Sequence, residues 1–276
     1  MRGLAGRVAF VTGAVRPPGI GRATALRLAA EGAELALVDA PAGGLADADS
    51  DAVAPGALDA LAEEVRALGR RALTIEAGLT DDDAVGAAVE RTLATFGRLE
   101  LCCHLGGGTG PSLGTGPLLE IEPTAWARCL ETNLVAPWLV ARACAAPMVR
   151  QGGGGAIVVL SSWAVRSAPA GYGAFAAARA GLGRLVEVLA VELAGAGIRV
   201  NAVAPLGVAP TTAPNPGLAE LVARDGDDLD DWIRRTIPLG RLQDPAETAA
   251  VIAFLCSDDA SFVSGQVLAS AGGALR

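Results

Sequence analysis

The sequence predicts a single α/β domain over residues 1–276: a doubly wound, seven-stranded parallel sheet with helices on both faces. Three observations carry that expectation. Short apolar, strand-like runs alternate with longer helical patterns from one end of the chain to the other. The first run, Val8-Ala9-Phe10-Val11, passes through a glycine-rich loop straight into a helix. The run Ala156-Ile157-Val158-Val159-Leu160 is apolar at every position, as a strand buried on both faces must be, and leads through two serines into an alanine-rich helix.

Taken in order, Val8 to Val11 is the first strand, and the loop Thr12-Gly13-Ala14-Val15-Arg16-Pro17-Pro18-Gly19-Ile20-Gly21 joins it to a helix from Arg22 to Ala30. The second strand, Leu35 to Val38, ends at Asp39. Residues 40–56 are rich in Ala, Gly and Asp and form a loop. A helix over Ala57–Leu68 precedes the third strand, Ala72–Glu76; a helix over Asp82–Phe96 precedes the fourth, Leu99–Cys103. Glycines crowd 106–116. A long helix follows from Thr124 to Arg150, bent at Pro137, because proline lacks the N–H that the helical ladder needs. After the fifth strand comes a helix over 174–194, then the sixth strand, Arg199–Val203. The segment 205–236 mixes Pro, Gly and Asp with a few apolar residues and reads as a mobile lid over a ligand. A helix from Pro245 to Leu255 and a strand from Gln266 to Ala269 close the chain, which has no internal repeat.

Composition narrows the function classes. Hydrophobic residues make up 51%, enough for a sheet covered on both sides, and the net charge is −8. That charge argues against nucleic acid or an anionic membrane as partner. No stretch is long and apolar enough to span a bilayer. Five cysteines without a C-x-x-C pair, with a single histidine, provide no metal constellation and fit a reducing cytoplasm. The first strand begins almost at once, leaving no signal peptide.

The glycine loop points to an adenine dinucleotide. Gly13, Gly19 and Gly21 stand between a strand and a helix, where such residues allow a tight turn, a close approach to pyrophosphate and helix–strand packing. The helix N-terminus offers free N–H groups to phosphate. Asp39 lies where an acid bonds the adenosine ribose hydroxyls; its charge repels a 2′-phosphate, so NAD(H) is expected over NADP(H).

The stretch from Ser161 to Ala180 carries the chemistry. Ser162 ends a strand, and Tyr172, Phe175 and Arg179 follow at helical spacing, so that they can stack along one face toward the serine. This layout resembles the short-chain dehydrogenase/reductase family, a Rossmann fold whose signature is Ser, twelve residues, then Tyr-x-x-x-Lys. Counted from Ser162, the tyrosine position holds Phe175 and the lysine position Arg179. Three features resemble the enoyl-acyl-carrier-protein reductase branch: two extra residues between Gly13 and Gly19, the segment His104-Leu105-Gly106-Gly107, and the Tyr172-x6-Arg179 spacing. The 40–56 loop resembles an insertion in actinobacterial-type members. Several positions depart from the wider family: Gly78 for the acid after the third strand, Pro205-Leu206 for Pro-Gly, Pro210 beside Thr211 for the carboxamide threonine, and Ala271 in the terminal Asp-Gly-Gly.

The resemblance implies roles. Ser162 positions the substrate oxygen, Asn133 orders a proton-relay water, and Arg179 holds the nicotinamide ribose and favours an ionised phenol, although a guanidinium cannot relay a proton. Tyr172, the sole tyrosine, becomes the candidate proton donor, with His104 as the other candidate acid or base and Phe175 as a pocket wall. The nucleotide-binding set grows to Gly13, Arg16, Gly19, Ile20, Gly21, Asp39, Leu79, Gly106 and Arg179, with no metal. A homodimer or homotetramer through the long helices 124–150 and 174–194 is implied as well. Three activities stay open: an NAD(H)-dependent oxidoreductase of a moderately apolar carbonyl, alcohol or enone; a non-redox lyase, cyclase or dehalogenase on the same scaffold; and a catalytically silent subunit of an oligomer.

Overall fold

The computed structural model describes residues 1–16, 19–41, 54–167, 169–209, 216–224, 226 and 228–274. Pro17 and Pro18 of the glycine loop, most of the 40–56 loop with its acidic run, and Pro210 and Thr211 of the lid therefore lie outside the described residues. Seven strands form one sheet: β1 (Val8–Thr12), β2 (Glu34–Asp39), β3 (Ala72–Glu76), β4 (Leu101–His104), β5 (Gly155–Leu160), β6 (Ile198–Pro205) and β7 (Val267–Ser270). Their order is β3-β2-β1-β4-β5-β6-β7 and every pairing is parallel.

Strand alternation sends side chains to two separate cores. Ala9 and Val11 of β1 pack with Leu35, Leu37, Cys103 and Val158 on one face. Val8 and Phe10 pack with Ala36, Val38, Cys102 and Ile157 on the other. The first face is covered by α1 (Ile20–Ala30), α2 (Ala57–Ala67) and α9 (Pro245–Cys256). The second is covered by α3 (Asp82–Phe96), α5 (Ala136–Gln151) and α6 (Gly173–Leu193). A strand buried on both sides has no polar positions to spare, which is why β1, β2 and β5 read as unbroken apolar runs. The five cysteines are free and buried, and Cys103 of β4 touches Cys256 of α9 with their sulfurs 3.5 Å apart. Among the described residues no helix is long and apolar enough to cross a membrane.

Two expected elements differ in form. The helix expected over 124–150 is three pieces: α4 (Pro123–Leu130), a π-helical turn at Glu131–Val135, and α5. The Ala136 N–H reaches back five residues to the Glu131 carbonyl. Pro137 explains the break, since it has no N–H for the Asn133 carbonyl and its ring would strike that carbonyl in a regular helix. The disturbance thus falls before the proline, not at it. The region 205–236 contains two further helices, α7 (Pro216–Arg224) and α8 (Leu229–Thr236). Trp232 of α8 is fully buried in a small apolar cluster with Trp163, Leu206, Val222 and Ile237.

Parallel registry brings the carboxyl ends of β1, β4 and β5 side by side, with Thr12 opposite His104 and His104 opposite Val159. The glycine loop is clamped over that edge. A Cβ on Gly21 would lie 1.9 Å from the Gly13 carbonyl oxygen. Gly21→Ala is therefore expected to push loop and helix apart at a cost of about 1–3 kcal/mol, read as a lower urea midpoint; an unchanged midpoint would show that the contact relaxes freely.

Candidate active site

The nucleotide end of the crevice is built from backbone. Gly13 has φ +65°, and a Cβ there would sit 2.6 Å from the Gly106 nitrogen, so the loop and the segment after β4 can touch only through glycine. Gly19, at φ +95°, caps α1 without a side-chain hydrogen bond, leaving the first amides of the helix available to an anion. Ile20 is buried just behind it. Leu79 flanks Gly106, 3.5 Å from where a Cβ would be.

Asp39 is fully buried at the end of β2. One carboxylate oxygen accepts from the Val15 N–H at 3.0 Å; the other accepts from Arg16 Nε at 3.0 Å and the Ala40 N–H at 2.9 Å. The ion pair with Arg16 was not legible in the sequence, where the two residues lie in different motifs. These features fit an adenine dinucleotide: uncapped helix amides for phosphate, a glycine surface that any side chain would obstruct, and an acid at the ribose position.

The candidate reacting end is organised by Arg179, a residue only 3% exposed. Its Nη1 donates to the Leu160 carbonyl at 2.6 Å, two residues before Ser162. Its Cζ lies 5.1 Å from the centre of the Phe175 ring, a cation–π contact one helical turn back on α6. A Cβ on Gly107 would fall 2.1 Å from Nη2, so the post-β4 loop approaches the cation as closely as a chain can, with Gly107 at φ +132°. The Nε is buried and has no hydrogen-bond partner among the described residues. Burial lowers the Arg179 pKa to about 10, so it stays cationic at neutral pH.

Asn133 sits in the π-turn with no exposure. Its Nδ2 donates to the Gly108 carbonyl at 3.0 Å and the Cys129 carbonyl at 3.1 Å, and its Oδ1 accepts from the Gly108 N–H at 3.1 Å. It bolts the post-β4 loop to the helix, a contact not foreseen from the sequence.

Ser162 is half-buried and begins a 3-10 turn, Trp163–Val165, its Oγ accepting from the Ala164 N–H at 3.2 Å. Tyr172 stands at the N-terminal boundary of α6, which starts one residue later. Its ring meets Phe175 edge-to-face, centroids 6.3 Å apart. Tyr172 precedes the helix instead of lying on its face, but Phe175 meets both its ring and the Arg179 cation, and the two aromatic rings are buried with Cys129, Ala164 and Ala174. Burial raises the Cys129 thiol pKa, opposed by its bond to Asn133 and by the Arg179 charge.

His104 corrects an expectation. As the alternative acid or base it would need to take up a proton near neutrality. Instead the ring is buried under Gly106, Nδ1 shares a 2.8 Å hydrogen bond with Thr12 Oγ1, and Nε2 has no partner among the described residues. Burial first, then the Arg179 charge, lowers its pKa to about 3. It is a neutral tie between β1 and β4.

Comparison with known proteins agrees with this geometry. Residues 13–274 match the family model described as Enoyl-(Acyl carrier protein) reductase. The chain is 40% identical to cis-4-hydroxycyclohexanecarboxylate dehydrogenase of Sinomonas cyclohexanicum, covering 97% of this chain and 96% of that protein. It is 36% identical to cyclohexanol dehydrogenase of Rhodococcus sp. strain TK6, covering 98% and 96%. It superimposes on the crystal structure of carveol dehydrogenase from Mycobacterium avium in complex with NAD with a TM-score of 0.86 and 32% identity, covering 100% and 99% of the two chains.

The His104 tie carries a pH signature. The folded ring binds a proton only near pH 3, whereas an unfolded histidine binds one below its ordinary 6.5. Between those limits the unfolded chain holds the extra proton, so stability falls as pH drops from 6.5 toward 3, by at most ~1.4 kcal/mol per pH unit. His104→Asn is expected to flatten Tm against pH between 6.5 and 5; an unaltered slope would place the titrating group elsewhere.

Proposed function

The chain belongs to the short-chain dehydrogenase/reductase family, and on that premise we propose that it is an NAD(H)-dependent dehydrogenase interconverting an alicyclic secondary alcohol and its ketone. The observation that carries the reading is the pairing of an intact dinucleotide cradle with Ser162 and a buried cation, Arg179, at the ends of neighbouring elements. Membership makes it an oxidoreductase. The substrate class follows from two relatives above 35% identity that act on cyclohexane alcohols, and the apolar cluster of Trp163, Leu206, Val222 and Trp232 beside Ser162 suits such a ring.

When bound, the nicotinamide supplies or accepts the hydride. Gly13, Gly19, Ile20 and Gly21 would cradle its phosphates, Leu79 and Gly106 would line its path, and Asp39, flanked by Arg16, would meet the adenosine ribose. The Asp39 charge favours NAD(H) over NADP(H). Ser162 Oγ holds the substrate oxygen. Tyr172, the one phenol in the chain, takes the proton from the alcohol or returns it to the ketone. Arg179 stays protonated throughout and favours the phenolate. Phe175, which carries no proton, screens the cation with its face and walls the pocket. Asn133 holds the loop against which the cofactor would lie, and His104 keeps β1 and β4 in register beneath it. Exposed apolar residues of α5 and α6, Trp138, Val149, Val188 and Val191, support a homodimer or homotetramer through those helices, and five free cysteines suit the reducing cytoplasm.

A fluorescence titration with NADH tests the premise: saturable binding is expected, and its absence overturns the redox reading. Asp39→Ala is expected to weaken NADH binding and narrow its preference over NADPH; an unchanged ratio would relieve Asp39 of that role. Tyr172→Phe is expected to lower kcat by ~10²-fold or more, the worth of a positioned acid or base, with NADH affinity kept. Full turnover by that variant would return the proton step to another group.

A further inference from the structure

Trp163 follows Ser162 directly and opens the 3-10 turn after β5. Its backbone carbonyl accepts from the Arg166 N–H at 2.9 Å and the Ser167 N–H at 3.3 Å. The Ser162 Oγ bond to the Ala164 N–H fixes the same turn. The side chain is the opposite case. Trp163 is 8% exposed, yet its Nε1–H is buried with no hydrogen-bond partner among the described residues.

An indole N–H taken out of water ordinarily finds an acceptor, and leaving it without one costs free energy that the turn would shed by placing another residue there. Among the described residues, the side chains clustered with it are apolar. The ring packs among Leu206, Val222, Trp232 and Ile237, with Leu218 and Leu221 of α7 and Leu242 beside them. These are apolar side chains contributed by the end of β6, the lid helices and the chain beyond them. The donor therefore belongs to the residue that follows the one positioning the reacting oxygen, and its ring lies in an apolar enclosure that α7 and α8 help to form.

We infer that the Trp163 indole N–H receives a second, uncharged oxygen of the substrate, carried on the ring away from the carbinol held by Ser162. This rests on the dehydrogenase reading and narrows its substrate to an alicyclic alcohol bearing a further hydroxyl or carbonyl oxygen, such as a diol or hydroxyketone. Charge is excluded by the enclosure: a carboxylate among leucines and tryptophans, met by one neutral donor, keeps most of its desolvation cost. A hydroxyl or ketone oxygen needs only the single hydrogen bond that Trp163 has to give.

The test uses the full-length protein labelled with 15N-tryptophan, whose four tryptophans give four indole N–H resonances. The Trp163 signal is assigned with Trp163→Phe, which keeps a ring and loses the donor, or by sequential assignment of the wild type if that variant does not fold. With NAD+ present, 1,4-cyclohexanediol is expected to move the Trp163 indole proton downfield, and cyclohexanol to leave it in place. In turnover, Trp163→Phe is expected to lower the ratio of kcat/KM for the diol to that for cyclohexanol about ten-fold, the worth of one neutral hydrogen bond. A resonance indifferent to the diol, or an unchanged ratio in Trp163→Phe, overturns the proposal. So does a larger downfield shift with 4-hydroxycyclohexanecarboxylate than with the diol, since it would make the preferred oxygen a charged one. If the resonance responds to the diol while no alcohol is oxidised, the donor site stands and the redox reading falls.

Discussion

The walls of the site converge on a guanidinium that has no carboxylate to meet it among the described residues. Arg179 is held by the Leu160 carbonyl, faces the ring of Phe175 and lies hard against Gly107. Each contact satisfies part of a cation withdrawn from water, and each belongs to a different element: the end of β5, the first turns of α6, and the loop after β4. Burying such a group is costly unless its surroundings are fixed around it. The spacing between Ser162, the helix face and the glycine loop is thereby set by one side chain, and displacing any of the three strands the charge.

The same charge organises the polarity of its neighbours. It helps keep His104 neutral and draws the Cys129 thiol downward against burial. With the imidazole uncharged and the arginine cationic at neutral pH, the proposed reaction leaves the charge to Arg179 and the proton to Tyr172. That division of labour differs from a lysine beside a tyrosine, where one group could serve both ends of a proton path.

Much of this was legible in the sequence because it depends on local pattern. Runs of buried strand residues, Gly13 and Gly21 at a strand–helix junction, and the Ser162–Tyr172–Arg179 spacing each follow from periodicity or from a backbone approach that only glycine allows. What escaped depends on contacts between distant segments. The Arg16–Asp39 pair joins residues 23 apart, and Asn133 meets Gly108 across 25. The fate of His104 turns on desolvation, which no spacing records. Pro137 did announce a disturbed helix, but a proline acts on the turn that precedes it, so the irregularity lies at Glu131–Val135.

That π-turn separates two jobs along one continuous coil. Ahead of it, Ala125 and Cys129 face the reacting end; beyond it, Val140, Cys144 and Met148 face the sheet. Each residue advances a helix by about 100°, so one surplus residue is a phase adjustment between those surfaces. Shortening the coil by a single position would leave both halves helical and each still amphipathic, yet aimed at incompatible neighbours. The chain length between Cys129 and Val140 is thus a structural constraint in its own right, independent of which amino acids fill it.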